Sequence, residues 1–255
     1  MINLNEFLVN KKINNKIDQY RYCPKTQDEL ISIINELIDK DEYDLNCINT
    51  INITDMSNLF NKNVHKSIRI DNIESVDISD WDVSNVTDMF GMFVGYKNFN
   101  CDISNWNVSN VESMEGMFYD CIVFNQPIGK WDVGNVTNMD RMFSKCIFFN
   151  QDLDNWDVGK VTNMHKMFSE CKSFNKPLNK WNTSNVENMG SMFYGCTSFN
   201  QPLDNWDVSN VKSMHEMFKC CYEYDQNIDN WDVSNVKLMH DMFKYTNIKA
   251  SWYKE

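Results

Sequence analysis

Residues 131–156 read WDVGNVTNMDRMFSKCIFFNQDLDNW, from one tryptophan to the next. The frame recurs along most of the chain. Trp81, Trp106, Trp131, Trp156, Trp181, Trp206 and Trp231 lie 25 residues apart without a slip. Counting each Trp as offset 0, Met recurs at offset 8 (Met89 to Met239) and at offset 11 (Met92 to Met242). Phe recurs at offset 12 (Phe93 to Phe243), and Cys at offset 15 in Cys121, Cys146, Cys171, Cys196 and Cys221. Offsets 8, 11, 12 and 15 have the i, i+3, i+4, i+7 spacing of one helical face. Offset 7 carries Asp, Asn or Ser in its first six occurrences, as helix N-caps do. The spacing therefore predicts a short helix of about two turns in each repeat. Trp and the Val two residues on share one side of an extended segment. Ser or Gly at offset 3 and Asn at offset 4, as in Ser84-Asn85, supply turn chemistry. One repeat is then an extended segment, a turn and a short helix. Such a unit buries too little by itself, so it must stack on its neighbours. The expected fold is an α/β solenoid of seven to eight 25-residue coils, forming one domain.

The flanks bound this array. Residues 1–49 are expected to form an N-terminal cap. Leu4, Phe7 and Leu8 offer a short apolar strip, and Thr26 to Glu29 make a capping box that predicts a helix over about 26–39. Residues 50–80 hold a degenerate first repeat: Ile53-Thr54-Asp55-Met56 and Leu59-Phe60 match Val86 to Met89 and Met92-Phe93, with an insertion within 61–75. Seven tandem repeats occupy 81–245. Residues 246–255, with Ile248, Trp252 and Tyr253, are expected to plug the last coil.

Formal net charge is −12, which argues against a nucleic-acid backbone or an anionic membrane surface as partner. The N-terminus MINLNEFLVNKKINNK lacks an apolar run long enough for a secretory leader, and the chain lacks a transmembrane stretch. These features lead us to expect an intracellular or virion-associated setting.

The Val-Thr-x-Met-x-x-Met-Phe-x-x-Cys-x-x-Phe frame, with FNQPLDNW leading into Trp206, resembles the repeat of the BspA-like leucine-rich-repeat surface proteins, as found in wall-less bacteria and large DNA viruses. The resemblance covers about residues 22–245. It implies a leucine-rich-repeat-like solenoid, a binding or adhesive role rather than catalysis, and a surface location as an alternative.

The chemistry-bearing residues follow the same columns. The five offset-15 cysteines read as small buried side chains, and reduced thiols are expected. His165, His215 and His240 share offset 9. His215 and His240, beside Glu216 and Asp241, are the candidates for a surface metal site; solvated surface residues are the blander reading. Asp132–Asp157 and Asp207–Asp232 are adjacent carboxylates that could bridge calcium, or could each accept backbone N–H groups in their own turns. No nucleophile elbow, phosphate loop or paired acid/base motif occurs, so neither a catalytic site nor a cofactor is expected. Variation between repeats concentrates at offsets 9, 10, 13, 14, 16 and 17, marking Glu115, Asp140, His165, Lys172, Glu216 and Lys219 as an interaction surface. The function expected is a non-enzymatic scaffold that binds a protein partner. The alternatives are a self-associating structural component and, more remotely, a metal-binding or enzymatic domain.

Overall fold

The computed structural model describes residues 20–61, 63–64, 76–248 and 250–254. Leu4, Phe7, Leu8, the inserted stretch 65–75 and its His65 lie outside the described residues. Helix α1 spans Gln27–Ile38. Thr26 caps it by accepting the Glu29 N–H at 3.2 Å, and the Glu29 carboxylate accepts the Lys25 N–H at 2.7 Å. Leu30, Ile34, Leu37 and Ile38 form its buried stripe, and Gln27 Nε2 donates to the Ser57 carbonyl in the degenerate first repeat.

Among the described residues α1 is the one helix, and no strand forms; the expected α/β solenoid is not what the chain adopts. Each repeat is instead a coil of consecutive turns, laid beside the next so that residues 25 apart are neighbours. Single parallel bridges mark this register at offset 7: Asp88 to Ser113, Ser113 to Asn138, and on to Ser213 and Leu238.

The coil beginning at Trp131 shows why no helix forms. The N–H groups of Met139, Arg141, Phe143 and Lys145 donate to Asn163, His165, Met167 and Ser169 of the next coil at 2.8–2.9 Å. Met142, Ser144 and Cys146 donate to carbonyls three residues back, and Asp140 donates to Asn138 Oδ1 at 3.0 Å. Every N–H from 139 to 146 thus has an acceptor without an α-helical ladder. Arg141 and Lys145 have φ of +55° and +65°, and left-handed residues recur at these two offsets in the other coils. A left-handed residue every fourth position is incompatible with a right-handed helix. Yet Met139, Met142, Phe143 and Cys146 all remain fully buried, so the inward pattern that suggested a helix is met by a different backbone.

Glycine fills some of these positions: Gly91 and Gly116 at offset 10, Gly95 and Gly195 at offset 14. At Gly91 a Cβ would also lie 2.8 Å from Asn58 Oδ1. Where longer residues sit in the left-handed region the coil carries strain. Glu170 (φ +61°) has no ion pair or side-chain hydrogen bond among the described residues. Glu170→Gly should therefore raise unfolding free energy by up to about 1 kcal/mol, the left-handed penalty less the entropy cost of glycine. Denaturant titration of the two proteins checks this.

The interior is a set of columns running through the stack. Phe60, Phe93, Phe118, Phe143, Phe168, Phe193, Phe218 and Phe243 stack with centroids 5.6–6.0 Å apart. A second column, Phe99 through Phe199 to Tyr224, runs beside it, with Phe93–Phe99 at 3.9 Å and Phe143–Phe149 at 4.2 Å. The seven tryptophans are 3–4% exposed. Each indole N–H donates to a main-chain carbonyl of the preceding coil, as Trp156 does to Ile128 at 3.1 Å. The column cysteines do likewise, Cys171 Sγ lying 2.9 Å from the Phe143 carbonyl. At one corner the Asn150 N–H donates to Asn125 Oδ1 and the Asn175 N–H to Asn150 Oδ1, forming a ladder of asparagines. The indole, thiol and corner asparagine groups of this turn-built interior are thus paired between coils.

Candidate functional site

The inward offsets repeat a single chemistry, so differences between coils collect on the outside. Offsets 9, 10, 13 and 14 form one ridge there. The left-handed residues at offsets 10 and 14 belong to it, which is how the interior turns set its shape.

The structure distributes the six candidate interaction residues unevenly. Lys172 is exposed and stands apart at offset 16. Glu115 is half-buried and accepts from Asn138 Nδ2 at 2.7 Å. Asp140 is 8% exposed, because Arg141 (2.6 Å) and His165 Nδ1 (2.9 Å) both close on its carboxylate. Glu216 and Lys219 pair at 2.5 Å, and Lys219 also reaches Asp241 at 3.2 Å. The Lys219 ammonium, hydrogen-bonded to Glu216, holds that carboxyl below its usual range. Asp140 with His165, and Glu216 with Lys219, are thus two clusters on the ridge.

The three histidines form a file. His215 and His240 stack at 5.5 Å, and His165 and His215 lie 5.7 Å apart although a whole coil separates them. Gly190 in that intervening coil permits the approach: a Cβ there would sit 2.3 Å from His215 Cε1. Ser213 Oγ is 2.8 Å from His215 Nδ1. Burial, followed by the two neighbouring imidazoles, pushes His215 below its ordinary pKa. Among the described residues no group of three or more His, Cys, Asp or Glu side chains is placed to hold a metal ion, at His215–His240 or elsewhere. In the calcium-candidate pairs each carboxylate accepts an N–H two residues on: Gly134 to Asp132, Gly159 to Asp157, Ser209 to Asp207 and Ser234 to Asp232. The Ser209 hydroxyl and N–H hold Asp207 low.

All nine cysteines are free. Burial pushes Cys121, Cys146, Cys171, Cys196 and Cys221 far above the usual thiol range, and Cys101 to about 11. We expect a water-soluble thiol reagent to modify Cys23 fastest, with Cys47, Cys101 and Cys220 slower and the five column thiols untouched until the stack unfolds. Counting modified thiols by mass spectrometry against time checks this order.

A cavity of about 280 Å³ interrupts the ridge beside the Asp140 cluster. Its floor includes Ser144 and Ser169, its ends Tyr119 and Tyr194. The sequence signal for it is a local change at offset 13, which reads Val94, Tyr119, Ser144, Ser169, Tyr194, Lys219, Lys244. Two small residues between two tyrosines make a notch, visible only when the column is read across coils.

Residues 54–168 and 148–253 match the family described as "Mycoplasma protein of unknown function, DUF285", in two overlapping spans. The chain belongs to this family. The DUF285 match begins in the degenerate first repeat and runs past Phe243, so it takes in every coil. No curated protein and no solved structure matches the chain. Among the described residues no helix is long and apolar enough to cross a membrane.

Proposed function

We propose that this DUF285 chain is a non-enzymatic repeat scaffold that binds a protein through its outer ridge, in the manner of the BspA-like surface repeat proteins that its repeat resembles. The observation carrying this reading is the contrast between inside and outside. Interior offsets 0, 5, 8, 11 and 12 keep one residue type for seven coils, whereas ridge offsets vary in charge and size, offset 13 running from Val94 through tyrosine and serine to Lys219 and Lys244. A surface that varies over a fixed frame suits recognition. Net charge of −12 favours a neutral or basic partner, whose approach the acidic surface would steer.

The test is affinity capture from native extract with paired charge reversals. Glu216→Lys with Lys219→Glu reverses a charge pair on the ridge, and Lys212→Glu alters the exposed offset-6 side. The ridge variant should weaken capture about tenfold or more, as charge reversal within an interface does, and the control should not. Equal capture by parent and both variants, or capture of nothing, contradicts the reading. Self-association is the second reading, because the coil beginning at Trp231 presents N–H groups at Met239 and Asp241 that donate to no backbone group among the described residues. A mass that climbs with concentration in light scattering would favour it.

A further inference from the structure

The notch between Tyr119 and Tyr194 combines three features found together nowhere else among the described residues. First, cations converge on it although the chain is acidic overall: Arg141, Lys145 and Lys166 line it against Glu170 and Glu216. The Glu216 charge is already offset by Lys219 at 2.5 Å. Arg141 lends one nitrogen to Asp140, Lys145 Nζ lies 5.5 Å over the Tyr119 ring, and Lys166 has no ion pair among the described residues. Second, three hydroxyl-bearing serines line it, and Ser144, Ser169 and Ser191 are only 3%, 4% and 1% exposed. Third, Ser191 Oγ is buried without any hydrogen-bond partner. A buried hydroxyl left unpaired is costly, and one lining a cavity rimmed by cations is a donor waiting for an acceptor.

We propose that this notch binds a phosphate monoester, with Lys166 and Arg141 contacting the dianion and Ser191 donating to one of its oxygens. A phosphoryl group presents three acceptor oxygens and nearly two negative charges, which match hydroxyls and cations arriving from several sides. A carboxylate, with two oxygens and one charge, would leave part of this donor set idle. About 280 Å³ holds a phosphoryl group and the first atoms of its carrier, but lies below the usual range for a drug-sized ligand. Tyr119 and Tyr194 add aromatic surface to the lining for an apolar carrier. The proposal does not rest on the scaffold reading.

Calorimetric titration of the full chain with phenyl phosphate tests it, with inorganic phosphate and benzoate as comparators at matched ionic strength. Phenyl phosphate should bind saturably at one site per chain, and benzoate about tenfold more weakly, as expected when a charge-assisted donor set is half used. Inorganic phosphate binding within a few fold of phenyl phosphate would also support the site, showing that the phosphoryl group alone is read. Two variants suit their left-handed backbone: Lys166→Asn (φ +55°) and Ser191→Gly (φ +54°). Each should weaken phenyl phosphate about tenfold, the scale of one charged-group hydrogen bond, without lowering the melting temperature. No saturable heat, benzoate binding as tightly as phenyl phosphate, or both variants binding like the parent overturns the proposal. A Ser191→Gly protein that melts higher yet binds unchanged would make the buried hydroxyl mere strain, and would overturn it as well.

Discussion

Above about pH 9 the folded protein is expected to lose stability at a limiting rate near 7 kcal/mol per pH unit. Burial lifts the pKa of five thiols, Cys121, Cys146, Cys171, Cys196 and Cys221, far above the ordinary value. Their Sγ atoms lie 2.7–3.1 Å from main-chain carbonyls, which stabilise the thiol and not the thiolate. The sign follows from which state lets protons go. In the unfolded chain these thiols ionise near pH 9, whereas in the stack they stay protonated. The stability they hold is complete below the unfolded value and is lost as pH climbs toward the folded values. Each protected thiol contributes a limiting slope of about 1.4 kcal/mol per pH unit, and the column has five. Cys101, held near pH 11 by burial, adds a smaller share that ends sooner. Denaturant titrations under reducing conditions at pH 7, 8, 9 and 10 would measure the slope. Cys171→Ala should reduce it by about a fifth, roughly 1.4 kcal/mol per pH unit, whatever the variant does to stability at pH 7. A flat profile to pH 10 would mean that the thiols ionise in the folded state.

Phe143→Ala should cost about 3–5 kcal/mol, the range for deleting a fully buried aromatic ring. Phe143 stands mid-column, with Phe118 at 5.6 Å, Phe168 at 5.7 Å, Phe149 at 4.2 Å and Trp156 at 6.2 Å. Removing it leaves a gap walled on four sides by rings that are fixed by their own coils, so collapse is limited. Phe243 provides the internal comparison. It lies in the last tryptophan-led coil, 8% exposed, with Trp252 and Tyr253 packed on it at 5.8 and 4.9 Å. Those two residues can move into the space, so Phe243→Ala should cost about 2 kcal/mol, the low end for large-to-small changes. Chemical denaturation of both variants tests the contrast. Equal small losses, under about 1 kcal/mol, would mean that the columns are not packed as described.

The period, the register of the tryptophans and the set of inward offsets were all legible in the sequence, because a fixed interval admits few arrangements other than stacking. The backbone path within a repeat was not. Met139, Met142, Phe143 and Cys146 have helical spacing, but a coil that turns left-handed at Arg141 and Lys145 sends the same four side chains inward. The clue was present in Gly91, Gly95, Gly116 and Gly195, which share those two offsets. Helical periodicity drowned it, since glycine fills the two offsets in only some coils. The ridge was legible as a set of variable columns and illegible as a surface. Asp140 reads as an exposed helix residue, yet it is covered by Arg141 from its own coil and His165 from the next. Such contacts join columns, and a column read alone does not contain them. For the same reason the Ser144–Ser169 notch lies within a column whose tyrosines, taken singly, look like ordinary surface residues.

In this fold residues 25 apart are neighbours throughout the stack. Pulsed electron–electron distance measurement tests it most directly. Spin labels would be placed at Lys97 and, in separate proteins, at Thr197, Tyr222 or Asn247, all at offset 16, with the accessible native cysteines replaced by serine. Label separations of about 20, 25 and 30 Å are expected, growing by about 5 Å for each coil added, the spacing of hydrogen-bonded parallel segments. Separations that fail to rise steadily with the number of intervening coils would contradict it.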